Sequence, residues 1–101
     1  MGVNMKSTIL LLVAGVFLTA GAASAQSGAD LAKSKNCMGC HDLQAKKVGP
    51  AFKDVAAKYK GNKGAEAKLV AELKEGKGHP VKIAATDAEL KALVQYVLSI
   101  K

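Results

Sequence analysis

Cys37-Met38-Gly39-Cys40-His41 is the stretch that decides how the rest of the chain must fold. Two cysteines with two residues between them, and histidine directly after the second, form the attachment signature of a c-type haem. Each residue type has a chemical task. The thiols of Cys37 and Cys40 add across the two vinyl groups of haem to make thioethers, and the short spacing lets one turn of chain reach both. His41 then lies beneath the iron as its proximal ligand. Covalent attachment lets a small chain keep a large apolar cofactor.

Other uses of Cys-x-x-Cys compete with this reading. A thioredoxin-like redox pair needs βαβ units, and no strand pattern is visible. A four-ligand zinc site needs more than two Cys and two His arranged this way. A disulfide across two intervening residues would close a very small, strained loop.

Toward the N-terminus, Lys6 precedes the apolar run Ser7 to Leu18, and small residues lead to Ala23-Ser24-Ala25. A basic start, an apolar centre and a small-x-small end describe a secretory signal peptide. Residues 1–25 are therefore expected to be cleaved, leaving a single domain over 26–101, which is 76 residues. Met5 is an alternative start. An uncleaved anchor is the competing reading, but the run is short against the roughly 20 residues a bilayer needs. No second long apolar run follows, so no stable membrane insertion is expected after cleavage. Export to the periplasm fits the chemistry, because bacteria attach c-type haem outside the cytoplasm.

The chain carries 15 Lys, no Arg and eight acidic residues, a net charge of +7 that becomes +6 once Lys6 is removed. The absence of Arg, the 4% aromatic content and the export signal exclude nucleic acid as a partner. Acidic redox proteins fit better, since a cationic face steers their encounter. A lysine-rich solvated surface with no partner meaning is the plainer reading.

Helical periodicity runs through the remainder. A first helix is expected from about Ala29 to Asn36, with Asp30 in its first turn. Asp42 to Gly49 reads as a loop, and Val48-Gly49-Pro50 as turn chemistry, with Gly for unusual dihedrals and Pro able to open the next helix. Phe52, Val55, Ala56 and Tyr59 recur at helical spacing. Lys60 to Gly64 is a breaker segment. Ala65 to Glu75 is a third helix with Leu69, Val70 and Leu73 as its stripe and Gly76 as its stop. Lys77 to Ala85 is a loop. Thr86-Asp87-Ala88-Glu89 is a capping box opening a last helix whose stripe is Leu90, Leu93, Val94 and Val97. The fold class is all-α, with about four short helices around one haem.

These residues resemble the small bacterial class I monohaem cytochromes c. The likeness rests on Cys37 to His41, on Val48-Gly49-Pro50-Ala51-Phe52-Lys53-Asp54-Val55-Ala56-Ala57-Lys58-Tyr59, and on Val94 to Ser99. It implies that Cys37 and Cys40 hold one covalent haem c and that His41 ligates the iron. It implies that the Pro50 carbonyl accepts the His41 ring N–H. Phe52 and Tyr59 count with the haem-binding residues through packing rather than any redox role. Tyr96 is placed where the last helix crosses the first.

Two departures stand out. The family aromatic five residues before the first cysteine is Ala32 here, which predicts thinner packing of the first helix on the last. The family's distal methionine is also missing. Met1 and Met5 lie in the signal peptide, and Met38 lies inside the attachment turn on the proximal side. In the expected loop stands Gly78-His79-Pro80, and His79 is the only other histidine. Neutral imidazole is a good iron ligand, so His41 and His79 are the expected metal ligands. Water, Lys77 or Lys82 at the iron, or an open fifth-coordinate iron, are the alternatives.

The expected function is periplasmic electron transfer by a non-enzymatic carrier of low potential. An open-coordination haem protein binding small gases or peroxide is the alternative, and a subunit acting only within a larger redox enzyme is a third reading. A monomer is expected, with a dimer in which His79 reaches a neighbouring haem left open. A 76-residue chain is marginal without a staple, and haem supplies the missing apolar mass. Far-ultraviolet circular dichroism of a Cys37→Ala/Cys40→Ala chain freed of haem should show most of the helical signal lost. Full helicity would show that the polypeptide core suffices.

Overall fold

Ser27 starts the first helix by accepting the Asp30 N–H on its hydroxyl at 3.2 Å. In the computed structural model, which describes residues 26–101, this helix, α1, spans Gly28–Ser34. The signal-peptide reading of residues 1–25 lies outside the described residues. Helix α1 stops two residues earlier than its composition predicts. Asn36 takes a left-handed conformation, φ 59°, which asparagine tolerates and a helix does not. That bend delivers the chain into a 3₁₀ turn over Cys37–Gly39.

Helix α2 covers Phe52–Lys58, with Ala51 as its N-cap. Pro50 therefore lies outside the helix rather than opening it. The loop below meets the first-turn donors instead: Phe52 N–H reaches the Asp42 carbonyl at 2.9 Å and Lys53 N–H the Leu43 carbonyl at 3.1 Å. Helix α3 spans Ala65–Glu75 and ends at Gly76, which is left-handed at φ 71°. Helix α4 spans Asp87–Ser99 behind the expected capping box. Glu89 N–H meets the Thr86 hydroxyl at 3.1 Å, and Thr86 N–H meets the Glu89 carboxylate at 3.0 Å. These bonds hold the Glu89 carboxyl below its ordinary pKa, the Thr86 backbone N–H contributing most.

Helix α4 is the element on which α1, α2 and α3 all pack. Its buried stripe is Leu90, Leu93 and Val94. Leu93 joins Leu31, Ala32 and Phe52 in the central cluster, and Cys37, Met38, Leu43 and Tyr96 pack against its edge. Among the described residues only eight apolar side chains are fully buried, and three of them are alanines. Burial of a Leu or Phe contributes about 1.5–3 kcal/mol, and an alanine much less. The polypeptide core is thin.

Ala32 is nonetheless buried, because α1 and α4 approach closely at another point. A Cβ on Gly28 would overlap the Tyr96 Cβ and come 2.6 Å from the Ala92 carbonyl oxygen. Tyr96 thus sits at the crossing, and the small residue opposite it is Gly28.

The connection from the 3₁₀ turn to α2 is organised by Asp42. Its carboxylate accepts the Gln44 and Ala45 N–H groups, both at 2.9 Å. Those two bonds, Gln44 first, pull its carboxyl below the usual range. The carboxylate's contribution to stability is therefore present at neutral pH, above the unfolded-state pKa. It is lost as pH falls through the lower folded-state value.

Two outcomes are expected. Gly28→Ala should destabilise the haem-loaded protein by about 1–3 kcal/mol through overpacking, read as a lowered Tm. An unchanged Tm would mean that the helices do not meet at Gly28. The stability advantage of the unmodified protein over Asp42→Asn, measured by denaturant titration, should shrink on acidification through the carboxylate range. An advantage independent of pH would remove the charged form from the turn.

Candidate haem site

The 3₁₀ turn begins at Cys37 and is capped by Cys40. Cys37 is half-buried against the core and Cys40 is exposed, and the two are not joined by a disulfide. Burial pushes the Cys37 thiol up from its ordinary pKa. A catalytic dithiol is usually activated by the opposite shift, and the βαβ units of a thioredoxin-like fold are absent among the described residues. Among the described residues no group of three or more His, Cys, Asp or Glu is placed to hold a metal ion.

His41 is held at its backbone and around its ring. Its N–H bonds the Cys37 carbonyl at 2.9 Å, closing the turn. Its ring Nδ1 lies 2.7 Å from the Pro50 carbonyl oxygen. A carbonyl only accepts, so Nδ1 is the donor and Nε2 is the nitrogen left for another partner. Phe52 stacks on the imidazole, with ring centres 5.1 Å apart and planes 29° apart. Gly49 lies against the ring as well: a Cβ there would overlap Cε1 and approach Nδ1 to 2.7 Å. Its φ is not among the positive values, which fall at Gly61, Gly76 and Gly78. Glycine is therefore needed at position 49 for space, not for an unusual dihedral as the turn chemistry suggests.

His79 reaches the same place from the loop between α3 and α4. Its ring centre lies 6.2 Å from that of His41, with planes 17° apart. Its Nδ1 is 2.7 Å from the Val81 carbonyl oxygen, so this ring too donates through Nδ1. The loop is tied to α3 by the Ile83 N–H bond to the Leu73 carbonyl at 2.9 Å. Left-handed Gly76 and Gly78 turn it away from the helix axis.

The structure thus gathers Cys37, Cys40, His41, Pro50, Phe52 and His79. Tyr59 stands apart at the C-terminal end of α2. Its half-buried ring lies under two ammonium groups, Lys58 at 5.4 Å and Lys68 at 5.5 Å. Among the described residues no ring contact joins it to His41 or His79. The site also contains features that residue type does not reveal. The Val81 acceptor is a backbone carbonyl, which every residue has. Gly49 could be found only from the crowding around His41.

Two free thiols on one turn, and two imidazoles about 6 Å apart that each donate through Nδ1 to a backbone carbonyl, fit a covalently attached haem. Among the described residues, Val48 and Val81 are the exposed large apolar side chains, 82% and 55% exposed. Among the described residues no helix is long and apolar enough to cross a membrane.

Comparison with known proteins agrees with this geometry. Residues 25–101 match the family described as cytochrome c. Cytochrome c-552 of Hydrogenobacter thermophilus is 46% identical over 105 residues, covering 96% of this chain and all of the relative. Cytochrome c-551 of Pseudomonas aeruginosa is 42% identical, covering 90% of this chain and 92% of the relative. Among solved structures, cytochrome c552 of Nitrosomonas europaea superposes with a TM-score of 0.62 at 39% identity, over 72% of this chain and 99% of that one. A class 1 cytochrome of Sideroxydans lithotrophicus gives 0.65 at 33% identity, over 72% and 91%. Proteins of this kind bear one covalent c-type haem and carry electrons rather than catalyse reactions, and the two cysteines here are present for its thioethers. The chain belongs to the cytochrome c family, as one of its small class I single-haem electron carriers.

Proposed function

We propose that this chain is an exported, low-potential electron carrier whose haem iron is held between His41 and His79. The observation that carries the reading is the matched pair of imidazoles. Each gives its Nδ1–H to a backbone carbonyl at 2.7 Å, and their ring centres lie 6.2 Å apart. Two metal–imidazole bonds of about 2 Å, with the nitrogen-to-centre distance of each ring added, span about 6 Å. The spacing of 6.2 Å supports placing one metal ion between the two imidazoles.

Haem supplies the ferric–ferrous couple. Cys37 and Cys40 would hold it through thioethers, and His41 and His79 through Nε2. The Pro50 and Val81 carbonyls fix both tautomers and raise the basicity of the liganding nitrogens. Basic imidazole favours ferric iron over ferrous more than a methionine thioether does, so the potential lies below that of methionine-ligated relatives. Phe52 packs the proximal ring against the core. Tyr59 enters only as apolar backing at the end of α2.

The basic start, apolar run and Ala23-Ser24-Ala25 ending support cleavage after Ala25 and a periplasmic mature domain from Gln26 to Lys101. Exposed Lys46, Lys47, Lys77 and Lys82 lie near Val48 and Val81 in sequence. That grouping supports docking of acidic redox partners on this side.

Electron paramagnetic resonance of the ferric protein tests the ligand pair. Low-spin signals are expected, and rhombic ones, because near-parallel ligand planes split the iron dπ orbitals. His79→Ala should convert them to high-spin, and His79→Met should raise the midpoint potential. High-spin signals in the unmodified protein would remove His79 from the iron and make binding of small gases or peroxide the better function.

A further inference from the structure

The loop carrying His79 has few fastenings. Among the described residues, two hydrogen bonds join its residues 77–85 to the rest of the fold. One is the Ile83 N–H bond to the Leu73 carbonyl in α3, already described. The other is made by a side chain far away in sequence. Lys35 Nζ donates to the Ala84 carbonyl at 2.9 Å, across 49 positions.

Lys35 is well placed to act as a clamp. It is the C-cap of α1, and its own N–H bonds the Leu31 and Lys33 carbonyls, so its backbone is anchored. Leu31 is fully buried in the core. Two residues later the chain becomes Cys37. The Lys35 bond therefore ties the start of the attachment turn to the distal loop, five residues beyond His79. The tie to α3 holds the loop only to its neighbour in sequence.

We infer that Lys35 is a positioning residue that keeps the distal loop closed and so keeps His79 opposite His41. This rests on the proposed ligation by His79. Its consequence is kinetic: an external ligand gains the distal position only when the loop lifts, and Lys35 sets how often that happens. The Lys35 ammonium contributes a charge-assisted bond to a carbonyl, the stronger kind of hydrogen bond.

Cyanide binding to the haem-loaded ferric protein, followed by stopped-flow absorbance, reads the opening directly. At high cyanide the rate is limited by departure of His79. Lys35→Met keeps the aliphatic stem and removes the donor, and should raise that limiting rate about tenfold. Lys35→Arg restores a donor and should bring the rate back toward that of the unmodified protein. Lys33→Met removes a charge from the same helix without touching the loop and should leave the rate unchanged. If Lys35→Met loads haem poorly, Lys35→Gln, too short to reach Ala84, serves in its place.

A limiting rate unchanged in Lys35→Met, in a protein that is low-spin at the start, would overturn the clamp and leave the ligand pair standing. A rise shared equally by Lys33→Met would reduce the effect to charge and also overturn it. An unmodified protein that is high-spin and binds cyanide as fast as His79→Ala would overturn the ligand reading and the clamp with it.

Discussion

The hydrogen bond from the His41 ring to the Pro50 carbonyl, 2.7 Å long, is the constraint on which the site depends. It fixes the tautomer and so decides which nitrogen is available. It also needs a particular backbone path. The chain must leave the 3₁₀ turn, loop out through Asp42, and return so that the Pro50 carbonyl faces the ring. The Gly49 N–H bond to the Cys40 carbonyl at 2.7 Å closes that loop onto the turn, and the Asp42 and Leu43 carbonyls receive the first donors of α2. The loop, the turn and α2 are locked together, and Phe52 arrives against His41 as a result.

The loop that carries His79 repeats this logic with different parts. His79 also bonds a backbone carbonyl through Nδ1, but from a loop rather than from a closed turn. A loop of this length has little hydrophobic burial of its own, and His79 and Ile83 are only partly buried. Its position comes from hydrogen bonds at its far end. The proximal side is rigid because it is continuous with the core. The loop that carries His79 is held by a few polar bonds.

The thin core explains why a cofactor is built into the design. With eight buried apolar residues among those described, three of them alanine, the helices supply little hydrophobic stabilisation for a domain of this size. The edge of the central cluster runs through Cys37, Met38 and Leu43, beside the attachment turn. A covalently held haem extends that core where the polypeptide ends. The chain is also strongly cationic, with 15 lysines against eight acidic residues.

Much of this was legible in the residues themselves. Cys37, Cys40 and His41 carry a chemical signature that needs no fold to be read. The limits of α3 at Ala65 and Glu75 and the capping box at Thr86 and Glu89 followed from local chemistry, because helix ends are decided by nearby donors and acceptors. The place of Pro50 outside α2, the need for Gly at positions 28 and 49, and the bond from Lys35 to Ala84 were decided by tertiary structure alone. Each depends on atoms brought close by distant parts of the chain, or on backbone carbonyls that every residue shares. Residue type determined the chemistry available to this protein, and packing decided which atoms it is presented to.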